Sequence, residues 1–346
     1  MQKTILSFCI SLLALGCAAG AAPAATRTPL PTQPAVRATP ASIAGCPLFP
    51  ADNIWNARVD LLPLDARSAA YIDSIGRGTG FHMDFGSGLW DGGPIGIPFT
   101  LVEAGQPLVT VNFTWEDESD AGPYPVPPDA LIEGGPGSDG DRHVLVLDTD
   151  ACLLYEMYNS WPNPDGSWEA DAGAVYDLNS NALRPDGWTS ADAAGLPMLP
   201  GLVTYDEVAS GQISHALRFT AARTQRAYLW PARHYASSIT DPNVPPMGQR
   251  FRLKASYDIS GFDPQLQVIL TAMKEYGIIL ADNGSNWYVS GAPDERWDND
   301  LLHDLDVLTG DDFEAVDVRG LMLDPDSGQV RPSTGMPAIF LPIIRS

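Results

Sequence analysis

Two runs of apolar, β-branched and aromatic residues, His143–Leu147 and Cys152–Tyr158, flank the turn-favouring group Asp148-Thr149-Asp150-Ala151. The segment therefore reads as a β-hairpin. Pairing Leu147 with Cys152 and counting outward in antiparallel register sets Leu145 against Leu154 and His143 against Glu156. Directly opposed residues point to one side of a sheet. Leu145, Leu147, Cys152, Leu154, His143, Glu156 and Tyr158 then share one face, and Val144, Val146, Leu153, Tyr155 and Met157 share the other. A histidine and a glutamate are thus expected side by side on an apolar surface, with Tyr158 one step further along.

The remaining pattern is one of short strands. Phe99–Val102 and Leu108–Trp115 alternate in strand fashion, Trp168–Leu178 reads as a third strand after the hairpin, and Ile213–Ala221, Ala227–Trp230 and Arg250–Ser256 as later ones. Ile278–Leu280 and Trp287–Ser290 flank Asp282-Asn283-Gly284-Ser285 as a second hairpin, and Phe313–Val318 is a last strand. Helical spacing appears at Asp65–Gly76 and at Pro264–Tyr276. The latter has Pro264 at its first position, an apolar stripe of Leu266, Ile269, Leu270, Met273 and Tyr276, and Gly277 beyond its end. Thr204 to Glu207 has capping-box spacing, and a final helix starts at Asp298 or Asn299 and runs to Leu308. Many short strands, abundant turn residues and few helices predict a mainly β fold, a β-sandwich or jelly roll with peripheral helices; an α+β distorted barrel is the alternative.

The N-terminus sets apart what lies outside that fold. Lys3, the apolar run Ile5–Leu15 and Ala14-Leu15-Gly16-Cys17 have the form of a signal peptide, residues 1–17, whose end resembles a bacterial lipobox with Cys17 as the lipidated residue. The alternative is an ordinary signal peptide cut after Ala19 or Ala21. Residues 18–45 are rich in Ala, Pro and Thr, as expected of a disordered tether, and residues 46–346 form a single globular domain, with two lobes possible. That leaves about 300 residues, enough for a large core. The chain is expected at the outer face of a bacterial membrane or secreted, touching the membrane through its N-terminal lipid only, and monomeric.

Charge and cysteines narrow the partners. A formal net charge of −23 excludes nucleic-acid binding through a broad basic surface. With Cys9 in the signal and Cys17 at the lipobox, Cys46 and Cys152 remain, and in an oxidising compartment they are expected to pair; two separate buried thiols are the alternative.

The candidate chemistry centres on the hairpin. A glycosidase needs a carboxylic acid whose pKa is raised by an apolar setting and a second carboxylate across the scissile bond. Glu156 between Leu154 and Tyr158 suits the first role, tuned by His143, and Asp171 or Asp177 the second. The strand Cys152–Tyr158 also resembles the catalytic strands of jelly-roll glycosidases. Tyr158, Trp161 and Trp168 are candidate sugar platforms. Arg233-His234-Tyr235 could hold a uronate and abstract a proton, as a polysaccharide lyase requires. The function expected is glycoside hydrolysis on a polysaccharide or oligosaccharide, the alternatives being a non-enzymatic carbohydrate-binding lipoprotein and a lyase. No cofactor is expected. The acidic groups Glu116–Asp120 and Asp139-Gly140-Asp141 suggest calcium as a structural ion, no Cys/His cluster suggests zinc, and His303 between Asp300 and Asp304 reads as solvated helix surface.

Gly187-Trp188-Thr189-Ser190-Ala191-Asp192, Arg233-His234-Tyr235-Ala236-Ser237-Ser238 and Ala292-Pro293-Asp294-Glu295-Arg296-Trp297-Asp298 resemble segments of a group of exported bacterial proteins with no assigned activity. The resemblance runs from about Phe49 to Val318. It implies one ancient unit and brings no catalytic residue to carry over.

Overall fold

The computed structural model describes residues 41–332; the signal, Cys17 and the tether up to residue 40 lie outside them. Ten strands form the two principal sheets. In chain order they are β1 (His82–Asp84), β2 (Phe99–Val102), β3 (Val144–Asp148), β4 (Leu153–Tyr158), β5 (Ala172–Asp177), β6 (Leu217–Ala221), β7 (Arg250–Leu253), β8 (Ile278–Asn283), β9 (Tyr288–Ser290) and β10 (Phe313–Val316). A four-stranded sheet has the order β5-β4-β3-β2, and a six-stranded sheet the order β10-β7-β8-β6-β9-β1. Both are mixed: β2–β3, β6–β8 and β9–β1 run parallel and the other pairs antiparallel. A third, three-stranded sheet joins Val111–Phe113, Trp161–Pro162 and Trp168–Ala170. The architecture is a layered β-sandwich with few helices and no closed barrel. The helices are α1 (Ser68–Ile75), α2 (Tyr205–Ser210), α3 (Pro264–Glu275) and α4 (Asn299–His303), and no helix among the described residues is long and apolar enough to cross a membrane.

The central hairpin forms with a different register from the expected one. Leu147 pairs with Leu154, Leu145 with Glu156 and Val144 with Met157. The slip is two residues, so every side chain keeps its face. Leu145, Leu147, Leu154, Ala174 and Tyr176 enter the main core between the two large sheets. Val144, Val146 and Met157 look the other way, into a second core with Val111, Tyr124 and Trp168. The cause is the turn. Asp148 accepts the backbone N–H groups of Asp150 and Ala151 at 3.0 Å each, and Cys152 takes a left-handed φ of 52°, which removes it from the ladder.

Cys152 is then free of the strand and bonds to Cys46, with Cα atoms 5.3 Å apart and a sequence separation of 106. The fold begins slightly before Cys46, since Ser42–Ile43 pairs with Cys46–Pro47. Cross-linking so long a loop restricts the unfolded chain by roughly 4–5 kcal/mol. The Cys46→Ser/Cys152→Ser protein should lose about that much in urea titrations, and an unchanged midpoint would show that the bridge contributes nothing.

Three other expectations are corrected. Trp168–Leu178 is not one strand: it divides at Asp171 between two sheets, because the Asp171 carbonyl accepts the Trp115 N–H at 2.9 Å and its carboxylate accepts Asn159 Nδ2 at 2.8 Å. Ala227–Trp230 makes only an isolated bridge, Tyr228 to Met247. The second hairpin is also absent. β8 and β9 do not pair with each other; β6 lies between them and pairs with both. The helix at Pro264 stands as expected, capped by Asp263 accepting the Gln265 N–H at 2.8 Å. Gly277, at a φ of 73°, turns the chain into β8.

Candidate functional site

Buried charge collects where the two large sheets meet. Arg218 in β6 stands between Leu217 and Phe219 and is itself buried. Its Nε donates to Asp192 Oδ2 at 3.1 Å and its Nη2 to Asp192 Oδ1 at 3.0 Å, a bidentate pair. A third donor, Nη1, reaches Ser290 Oγ at 2.5 Å, and Asp282 lies 3.7 Å from Nη2. The backbone explains why Asp282 is there. A β-bulge after Phe219 leaves Ala281 unpaired, so Asp282 stands opposite Thr220. Bulges commonly re-aim a side chain in this way beside a site. Burial, then the neighbouring Asp192, raises the Asp282 pKa to about 8 against the opposing effect of Arg218.

His143 immediately precedes β3 and is buried. Its Nδ1 is 2.5 Å from Glu133 Oε2 and its Nε2 3.0 Å from the Ala191 carbonyl. Both partners accept, which is the environment of an imidazolium. Burial works against that charge, but Glu133 outweighs it and raises the His143 pKa to about 9. Burial also opposes ionisation of Glu133, whose pKa is nevertheless lowered by His143. The Glu133 loop is held closely: a Cβ on Gly93 would fall 2.0 Å from the Gly134 carbonyl carbon. Arg142 adds to this by donating to the carbonyls of Pro136 and Ser138 at 3.0 and 2.9 Å.

Two clefts border this cluster. The first, of about 460 Å³, is lined by Asp282, Asp141, Glu118, Trp115, Tyr158 and His234 among others. Trp115 and Tyr158 are stacked in it with ring centroids 6.0 Å apart and an interplanar angle of 19°. The Tyr158 pKa is raised by burial and then by Asp141 and Asp282, which places all three groups within electrostatic reach. The second cleft, of about 590 Å³, is lined by His82, Asp84, Glu133, Trp90, Tyr288, His303 and Asp306 among others.

The expected site residues are dispersed. Glu156 is fully buried and lines none of these clefts. Its carboxylate accepts the Met198 N–H at 3.0 and 2.9 Å and the Leu199 N–H at 2.9 Å, fastening the one-turn helix Leu199–Gly201. Burial raises its pKa to about 7 even against those bonds. Its paired neighbour on β5 is Ala174; Asp177 lies at the far end of that strand, exposed, opposite Leu153. Asp171 holds Asn159 at the strand break. His143 and Glu156 are not a directly opposed pair. Trp168 lies in the second core, and Trp161 is exposed under the Arg142 guanidinium at 3.6 Å. Arg233 turns to the Pro325 carbonyl and Asp326, both at 2.8 Å, and Tyr235 stacks beside Tyr228. Of Arg233, His234 and Tyr235, only His234 lines a cleft. The run Glu116–Asp120 is engaged by Arg184, which bonds Asp120 and the Glu118 carbonyl, and Glu118 accepts the Thr189 N–H at 3.2 Å. Among the described residues the groups able to hold a metal are Glu133–Asp141–His143 and His82–His303–Asp306, so a His/Asp cluster does assemble.

Sequence reading missed Asp282, Asp192, Glu133 and Trp115. One signal was present: Arg218 interrupts an apolar strand, and a charge placed there must find a buried partner. No protein family, curated protein or solved structure matches the chain.

The same groups set a pH dependence. His143, Glu156 and Asp282 all hold protons more tightly in the folded chain than when unfolded. Stability therefore falls with rising pH while the native state binds more protons. The contribution of His143 is complete below about pH 6.5 and is lost as pH rises through about 9. Thermal melts should decline from pH 6 to pH 9.5, and His143→Gln should flatten the upper part of that decline. A wild-type melting temperature that rises over this range would refute the assignment.

Proposed function

We propose that the first cleft is the active site of an extracytoplasmic glycoside hydrolase, with Asp282 as general acid and Asp141 as the second carboxylate. The observation that carries this reading is the setting of Asp282: its carboxyl stands 3.7 Å from the buried Arg218 guanidinium, its pKa is raised by burial and then by Asp192, and it borders an open cleft. Inverting and retaining glycosidases both need such an acid beside a second carboxylate. Asp141 and Glu118 line the same cleft, and Asp141 is the more exposed of the two. The stacked Trp115–Tyr158 pair offers an apolar face to a sugar ring. The Arg218–Asp192 pair would hold the acid in place, and His143 with Glu133 would fix the cleft wall through the Ala191 carbonyl. The role first expected of Glu156 thus passes to Asp282. An exported location is supported by the Cys46–Cys152 bridge.

The aromatic pair alone favours a second reading, a carbohydrate-binding protein without turnover. A panel of plant, fungal and bacterial polysaccharides, read by new reducing ends and by ultraviolet absorbance of unsaturated products, separates the two. Reducing ends without unsaturation support hydrolysis, and unsaturated products would point to a lyase. Binding without either product would leave the binding protein standing and overturn the hydrolase.

A further inference from the structure

We infer that the second cleft binds a divalent transition-metal ion through the imidazoles of His82 and His303 and the carboxylate of Asp306. One ligand atom from each of the three lies within 4.8 Å of the others, and His303 Nδ1 is 2.9 Å from Asp306 Oδ2. Ligands sharing one tetrahedral zinc stand about 3.3–3.5 Å apart. The His303–Asp306 pair is already near that value, and the widest pair needs to close by no more than about 1.5 Å. His303 and Asp306 are exposed, so their side chains can make that adjustment.

The scaffold presents the three residues together. His303 ends α4, and Asp306 lies three residues on in the 3-10 turn Asp304–Val307, a spacing that puts both on one helical face. His82 comes from β1, fixed by its ladder partner Tyr288 on β9. The His82 ring packs 4.5 Å from that of Tyr288 and 6.1 Å from that of His303.

Charge and chemistry select the occupant. Asp84 and Glu133 also line the cleft, and among the described residues no lysine or arginine does. Glu133 is matched by His143, which leaves the carboxylates of Asp84 and Asp306 to attract a cation. Two imidazoles with one carboxylate suit zinc and its neighbours rather than calcium or magnesium. Three protein ligands leave a fourth position open towards the cleft, the arrangement of catalytic rather than structural zinc sites. The other candidate group, Glu133–Asp141–His143, is a poorer host. Both ring nitrogens of His143 already face acceptors, so no lone pair is left for a metal. The metal site stands independently of the hydrolase reading.

The test is isothermal titration of the full chain, stripped with chelator, with zinc(II) at pH 7.5. One equivalent should bind, with a matching rise in melting temperature. His303→Ala and His82→Ala should each weaken binding by about two orders of magnitude, and Asp306→Asn by roughly tenfold. Asp141→Asn should leave binding unchanged. Because His303 is exposed, its replacement keeps the fold even if that of His82 does not. No uptake by the wild type, or affinity undiminished in His303→Ala, would overturn the proposal. So would loss of binding in Asp141→Asn, since it would move the ion to the other group.

Discussion

Arg218→Met should destabilise the protein by roughly 3–5 kcal/mol, the usual consequence of removing one partner from a buried ion pair. Asp192 is fully buried and would lose both guanidinium bonds, with Asp282 left close by and Ser290 without its donor. The loss should be greatest at neutral and alkaline pH and smaller near pH 5, where the stranded carboxyls can take up protons. Removing the second partner as well, in Arg218→Met/Asp192→Leu, should restore part of the stability, because an apolar pair of similar volume no longer buries an unmatched charge. Urea titrations of the three proteins at two pH values would measure this. A loss below about 1 kcal/mol for the single variant would mean that water reaches the pair.

What the sequence made legible follows from which interactions are local. The period-two pattern of Val144–Leu147 and Leu153–Tyr158 determines faces, and the faces came out as expected. It does not determine register, because a slip of two leaves every face intact. Register was decided by the Asp148 turn and the left-handed Cys152. Asp263 with Pro264 announced α3 because a cap acts within its own residues. By contrast, Asp282-Asn283-Gly284 carries a strong turn signal, and the turn leads back into the same sheet. What no local pattern shows is that β6 has entered between its two arms.

The site was hidden for the same reason. Glu156 looked catalytic because an acid on an apolar face suggests a raised pKa, and its pKa is raised. The sequence cannot distinguish a carboxyl that faces a cleft from one fastened by the N–H groups of Met198 and Leu199. His82 and His303 come from distant parts of the chain and meet only in the folded sheet and helix.

That distinction makes Asp282 and Glu156 opposing tests of one mechanism. Asp282→Asn keeps the shape of the side chain and removes its acidic proton, so kcat should fall by about 10²–10⁴-fold. Oligosaccharide binding should survive, since the Trp115–Tyr158 platform is untouched. The fold should hold near neutral pH, and above about pH 8 it should gain stability over wild type, because only there does the change end repulsion between an ionised Asp282 and Asp192. Glu156→Gln, sealed away from the cleft, should lower stability through its weakened grip on Leu199–Gly201 and leave kcat within a few-fold of wild type. The pH profile supplies a readout that a structural role would not change. If Asp282 delivers the proton, wild-type turnover declines as pH passes about 8, and the residual activity of Asp282→Asn lacks that limb. Full turnover in Asp282→Asn, combined with its collapse in a well-folded Glu156→Gln, would return the acid to the hairpin and refute the cleft assignment.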